Sequence, residues 1–328
     1  MPELPADATA VTVRSFGDAL AARVQERRSQ IVLGLDPDPG ALWPGVEEPR
    51  HGGGDVAMAD GASSPAQRAA CAVEAHCSAL IDAAGSACVA VKPQLACFER
   101  LGAAGRHALE GVVRHAREAG LLVIADGKRG DIDVTARAYA QALFGGVRTP
   151  FGEVAGLGAD MATVNPLMGT DAIEPFVTAA RATGGGVLAL VRTSNPGAAD
   201  VEDLELAETV EGPASVWERL AEIVDELGRP GVGESGLSDV GAVIGATGYG
   251  HVARARELMP HAVFLLPGVG AQGGRVRDLA PAFAPGRAGG LVSASRSIVN
   301  AYLTHGGDPA AAARAEVERL RASAWELA

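Results

Sequence analysis

The chain has 328 residues, 48% of them hydrophobic, and a formal net charge of −12. That is enough apolar material for one large core, and the length lies within the range of a single α/β barrel. The acidic balance excludes non-specific nucleic-acid binding, which needs a basic face, so an anionic ligand would have to meet a local cationic site.

The N-terminal residues show no basic start followed by an apolar core, and no apolar stretch reaches the roughly 18 residues that cross a bilayer. A cytoplasmic protein without membrane contact is expected. Cys71, Cys77, Cys88 and Cys97 form no C-x-x-C pair and read as small buried apolar residues, not as a metal or disulfide set.

Eight short apolar runs follow in chain order: IVLGLD (31–36), ACVAVK (87–92), LLVIAD (121–126), MATVN (161–165), GVLALVR (186–192), GAVIGAT (241–247), AVFLLPG (262–268) and GLVSAS (290–295). Their brevity, near-continuous apolarity and flanking turn residues predict buried strands. Segments 64–85, 103–120, 170–184 and 213–228 carry helical spacing, and 308–328 predicts a closing helix. Strands alternating with helices predict an α/β fold, a (β/α)8 TIM barrel, as a single domain over 1–328. Two stretches depart from the repeat. Residues 38–63 read as a Gly-rich loop inserted after the first strand, and 198–212 as an acidic, solvated connection.

In such a barrel the active site sits at the C-terminal ends of the strands. Asp36 ends the first, Lys92 the second, and Asp126 with Lys128 the third. Asn165 ends the fourth, Thr193 and Ser194 follow the fifth, Gln272 follows the seventh and Arg296 the eighth. The stretch IADGKRGDID crowds Asp126, Lys128, Arg129, Asp131 and Asp133 where an apolar run ends. In an extended segment Asp126 and Lys128 share a face. An ammonium among carboxylates keeps its proton, which suits a proton donor and not a nucleophile. A carboxylate beside it would repel an anionic substrate group and favour a reaction that removes that charge. The bland alternative is a surface ion-pair turn.

The glycines of PGVGAQGG (267–274) let backbone N–H groups close around an anion and give a mobile loop. SASRSI (293–298) adds Arg296, suited to two-pronged contact with phosphate oxygens, a rim ion pair being the alternative. Both segments follow strands seven and eight, where barrels often hold phosphate. Thr193, Ser194 and Asn165 could each bond a ligand or cap a turn. His76, His107 and His115 fall on predicted helices and read as packing or surface residues.

These residues resemble a known family. DGKRGDIDVT is similar to the D-x-K-x-x-D-I-x-x-T signature of the orotidine 5′-phosphate decarboxylases. Asp36, Lys92, PGVGAQGG and SRSI fall in the expected order, and VNPLMGTDAIEPF resembles the longer bacterial branch. The resemblance runs from about residue 31 to 300. It implies decarboxylation of orotidine 5′-monophosphate to uridine 5′-monophosphate, without a metal or any other cofactor, in a homodimer with shared active sites. It further implies catalytic roles for Asp126, Lys128 and Lys92, with Asp131 supplied by the partner subunit beside Ile132 and Thr135. Asp36 and Lys92 would contact ribose and Ser194 the pyrimidine. Pro267, Gln272, Ser295 and Arg296 would surround the phosphate under a lid at 267–275, and Asn165 completes the substrate-binding set. Many relatives have glycine where this chain has Ser295, which leaves a backbone N–H contact possible. Metal-dependent sugar-phosphate decarboxylases or aldolases with the same D-x-K-x-x-D pattern, and a silent phosphate-binding barrel, are the rival readings.

Overall fold

The computed structural model describes residues 15–46, 63–207, 214–246, 249–269 and 273–328. Ten strands occur among them: β1 (Ile31–Leu35), β2 (Ala90–Pro93), β3 (Leu122–Arg129), β4 (Gly146–Thr149), β5 (Gly152–Ala155), β6 (Met161–Val164), β7 (Gly186–Arg192), β8 (Val240–Ile244), β9 (Phe264–Pro267) and β10 (Gly290–Ala294). Eight are parallel and close into a barrel in the order β1-β10-β9-β8-β7-β6-β3-β2. Every predicted strand is one of these. Such strands have apolar contacts on both faces, which is why β1, β8 and β10 are buried at every position.

The barrel interior holds Val32, Ile124, Met161, Leu188, Val243, Leu265 and Leu291. A helix not anticipated from the sequence, Phe16–Arg27, adds Phe16, Leu20 and Val24 to the same cluster. It plugs the N-terminal end of the barrel. Arg27 there donates to the carbonyls of Gly85 and Cys88, which lead into β2.

The predicted helices form at Pro65–Ala84, Gly102–Glu118, Thr170–Ala182, Val216–Gly228 and Pro309–Leu327. Ser64 with Gln67, and Ser215 with Glu218, close reciprocal caps that satisfy the free N–H groups of their first turns. These helices pack on the outside of the sheet, in a second apolar layer that includes Leu80, Leu109, Ile173, Phe176 and Val317.

Three regions differ from expectation. The antiparallel hairpin β4–β5 stands outside the barrel and is largely exposed, with Phe151 at its tip 99% accessible. Secondly, the acidic connection after β7 is not merely solvated. Glu202 and Asp203 fold back onto Arg192, whose side chain is 13% exposed. Thirdly, the described start of the 38–63 insertion is anchored. Trp43 is buried, its indole N–H donates to the Val299 carbonyl at 2.8 Å, and its backbone N–H donates to His76 Nδ1 at 3.1 Å. Residues 47–62 of that insertion lie outside the described residues.

Cys77 and Cys88 are buried and Cys97 half-buried, as expected of small apolar residues, while Cys71 is exposed; all four are free thiols. His76 is a buried packing residue, and burial pushes its pKa down to about 4. No helix among the described residues is long and apolar enough to cross a membrane.

Arg256 is buried at the N-terminal end of the barrel. Its two terminal nitrogens donate to the carbonyls of Met259, Pro260, Ala262, Ala282 and Gly289, and its guanidinium lies 3.8 Å from the Phe264 ring centre. These contacts tie together the segments leading into β9 and β10.

Candidate active site

Asp126 lies in the C-terminal half of β3, and its carboxylate organises the mouth of the barrel. Lys92 Nζ, from β2, donates to Oδ2 at 2.6 Å, and Lys128 Nζ donates to Oδ1 at 2.6 Å. Gln94 Nε2 reaches Oδ2 at 3.2 Å and Thr163 Oγ1 donates to Oδ1 at 2.9 Å. The carboxylate is thus held by donors from β3 and from the barrel strands on either side of it.

Burial is the largest single influence on Asp126 and pushes its pKa up. The charges of Lys92 and Lys128, with their hydrogen bonds, outweigh it and hold the carboxyl down at about 2. For Lys92 burial again acts first and lowers the pKa; Asp126 and Asp36 overcome it, and the net shift is upward. A buried ion is tolerated only when its charge and its hydrogen-bonding capacity are met. Asp126 meets both with four donors, while Lys92 has its charge met and donates one of its three N–H groups to Asp126 among the described residues.

Asp126 and Lys128 do meet, but plain strand alternation is not the reason. Between Ala125 and Arg129 the register of β3 against β6 shifts, with four steps along β3 against two along β6. Lys128 sits in this bulge with φ +48°, the left-handed region that side chains rarely adopt. Its N–H donates to Thr163 Oγ1 at 2.9 Å, which fixes the distorted turn. The bulge aims the ammonium back at Asp126 while leaving the Lys128 side chain 45% exposed at the mouth.

Asp36 is exposed at the end of β1 and acts on Lys92 through its charge. Asp131, Ile132 and Thr135 are not drawn into their own subunit's cluster. Asp131 accepts only the Ile132 N–H, at 2.8 Å, and forms no ion pair among the described residues. Ile132 is 54% exposed and Thr135 is exposed on the helix Asp133–Leu143.

At the ends of β6 and β7, Asn165 and Thr193 prove to be turn and loop fasteners. Asn165 Oδ1 accepts the Leu167 N–H at 3.0 Å, and the Thr193 hydroxyl gives its one proton to Glu202 at 2.8 Å, with Asn195 Oδ1 2.7 Å away. The half-buried Ser194 side chain makes no hydrogen bond among the described residues. Across the mouth, Pro267 ends β9, and the glycine loop closes on itself through Gly274 N–H to the Gly268 carbonyl at 3.1 Å. Gln272 falls outside the described residues. Ser295 precedes the short helix Arg296–Val299, and Arg296 is exposed without an ion pair among the described residues.

Gln94 and Thr163 were not among the residues singled out from the sequence. Thr163 lay one residue before the end of an apolar run, where a hydroxyl among aliphatics was the available signal. Gln94 follows Lys92 and a proline, and nothing local set it apart.

A charged cluster at the C-terminal mouth of a closed parallel barrel, opposite a glycine loop and an exposed arginine, defines the class: an α/β-barrel enzyme. Residues 29–315 match the model of the orotidine 5′-phosphate decarboxylase / HUMPS family, and the chain belongs to that family. It is 42% identical over 285 residues to the orotidine 5′-phosphate decarboxylase of Deinococcus radiodurans, covering 87% of this chain and 89% of that one. With the corresponding protein of Rhodopirellula baltica the identity is 38% over 295 residues, covering 88% and 89%. Among solved structures, that of Leishmania donovani OMP decarboxylase is similar with a TM-score of 0.66 at 30% identity, covering 94% of this chain and 99% of that one.

Proposed function

We propose that this protein decarboxylates orotidine 5′-monophosphate to uridine 5′-monophosphate in pyrimidine biosynthesis, with Lys128 as the proton donor. The observation that carries the role of Lys128 is its ammonium, locked 2.6 Å from a buried carboxylate yet open to the barrel mouth.

In this mechanism the substrate carboxylate is placed against Asp126. The bond from the ring carbon to the carboxylate breaks, carbon dioxide leaves, and the electron pair stays on the ring carbon. Lys128 lowers the energy of that carbanion through its charge and then gives it a proton. The charges are fixed before the reaction starts, so little reorganisation accompanies the step. No cofactor enters this chemistry. Lys92 and Asp36 hold the ribose hydroxyls, Ser194 faces the pyrimidine, and Asn165 lies at the edge of the substrate site. Pro267, Gln272, Ser295 and Arg296 surround the phosphate, whose binding closes the glycine loop and positions the ring.

The half-buried Asp131 serves the neighbouring subunit's site in a homodimer, with the exposed Ile132 and Thr135 beside it. This accounts for an acidic residue of the signature that stands outside its own cluster.

Three experiments test the proposal. Lys128→Ala is expected to lower turnover by at least about a thousandfold while the protein stays folded and binds uridine 5′-monophosphate. Near-normal loss of substrate absorbance would exclude the assigned role. For the shared site, Lys128→Ala and Asp131→Ala subunits are unfolded, mixed in equal amounts and refolded. Half of the dimers are then mixed and carry one complete site of two, so about a quarter of wild-type activity should return. A mixture no more active than its parents would mean that each subunit builds its own site. Activity that survives excess chelator separates this reaction from the metal-dependent sugar-phosphate chemistries.

A further inference from the structure

The connection after β7 carries a charged cluster that the decarboxylation step does not use. Arg192, the last residue of β7, donates through Nε and Nη2 to the two oxygens of Asp203, each at 2.8 Å. Its Nη1 donates to the Thr193 carbonyl at 2.7 Å and approaches Glu202 at 3.5 Å. Glu202, 17% exposed, accepts the Thr193 N–H and the Thr193 hydroxyl, both at 2.8 Å. Every polar group of Thr193 is therefore held by one cluster, and the next residue is Ser194.

The opposite side is closed by Gly245, which follows β8. Its N–H donates to the Arg192 carbonyl at 2.7 Å. A Cβ at this position would come within 2.8 Å of Ser194 Cα and 3.0 Å of its Cβ, so the glycine lets the two loops touch. Ser194 is pinned between a charged cluster and a backbone, while its own hydroxyl stays uncommitted among the described residues.

We infer that Glu202, acting with Arg192 and Asp203, is a positioning residue that aims Ser194 at the pyrimidine ring of the substrate. Glu202 does not touch the substrate. It fixes the Thr193 peptide, which sets the direction of the following side chain. The inference rests on the assignment of Ser194 as the ring contact. It gives the acidic connection a role in substrate selection: the ring is read by a hydroxyl whose placement is decided about eight residues further along the chain.

The test uses two competitive inhibitors, uridine 5′-monophosphate and ribose 5-phosphate, which share a sugar phosphate but differ in the ring. Glu202→Ala is expected to weaken the nucleotide and raise KM roughly tenfold, with ribose 5-phosphate changed less than about twofold. Glu202→Gln restores affinity to within about threefold of wild type, because an amide can accept the Thr193 N–H and donate to its hydroxyl. Asp203→Ala, at a more exposed position, carries the test should Glu202→Ala fail to fold, with a selective loss of about threefold. Ser194→Ala is expected to show the same selectivity, and the Ser194→Ala/Glu202→Ala double variant to be little worse than Ser194→Ala alone. Equal weakening of both inhibitors would show general loosening and overturn the inference. A selective loss in Ser194→Ala but none in the Glu202 and Asp203 variants would overturn it while sparing the ring contact. An unchanged Ser194→Ala would remove the ring contact and the inference with it.

Discussion

At the mouth of the barrel Lys92 is buried against a carboxylate, 2.6 Å from Asp126, whereas at the other end Arg256 is buried against backbone carbonyls and an aromatic face. Both cations are less than a tenth exposed. Burial pushes both pKa values down, but at Lys92 two acidic groups reverse the shift, while at Arg256 nothing does and the value falls to about 9. The difference separates two uses of a buried cation. Arg256 has five fixed acceptors, three just after it in the chain and two from Ala282 and Gly289 further on, an arrangement that fastens loops. Lys92 is part of an alternating charge row whose last member, Lys128, is open to an incoming group.

The comparison predicts different costs for breaking each. Asp126→Ala leaves Lys92 buried and unpaired, and should destabilise the protein by about 3–5 kcal/mol in denaturant titration, besides removing activity. Arg256→Met keeps the volume but orphans several buried carbonyls, and should cost about 2–4 kcal/mol with kcat unchanged per folded molecule. A large fall in kcat for Arg256→Met would mean that the two ends of the barrel are coupled.

The smallest effect is on stability against pH. The folded Asp126 sits at about 2, below the ordinary 3.8, so its contribution is complete above that ordinary value and is lost as pH falls toward 2. It should be worth about 2 kcal/mol, seen as a slope in unfolding free energy that Asp126→Asn abolishes. Lys92 is shifted up from 10.5, so its contribution is complete below that value and is lost as pH rises through the folded pKa. Between these limits the pair should give a flat profile.

The barrel strands were legible because each is a brief apolar run with no polar face to confuse the period. The hairpin β4–β5 was not, since its eight residues bury nothing and carry no pattern that a core would impose. The helix Phe16–Arg27 was missed although Ser15 caps it, because it follows the sequence's least patterned stretch. At the site, chemistry-bearing residues at strand ends could be picked out, and Asp126, Lys128 and Lys92 do converge. Gln94 and Thr163 could not, because their role depends on strands brought together by closure. Alternation predicted the meeting of Asp126 and Lys128 for the wrong geometric reason. A bulge is a property of two paired strands, and one strand's sequence does not display it.

The left-handed backbone at Lys128 sets conformational preference against chemistry at a single position. Glycine is the residue that such a dihedral favours, at a saving of about 1 kcal/mol over any side chain. Lys128→Gly should therefore be more stable than Lys128→Ala, although both lose the same ion pair and the same proton. Selection for folding alone would drift this position toward glycine. A lysine held there against that drift is a mark of use, readable in a survey of relatives as a residue that never relaxes to the easier choice while the reaction is kept.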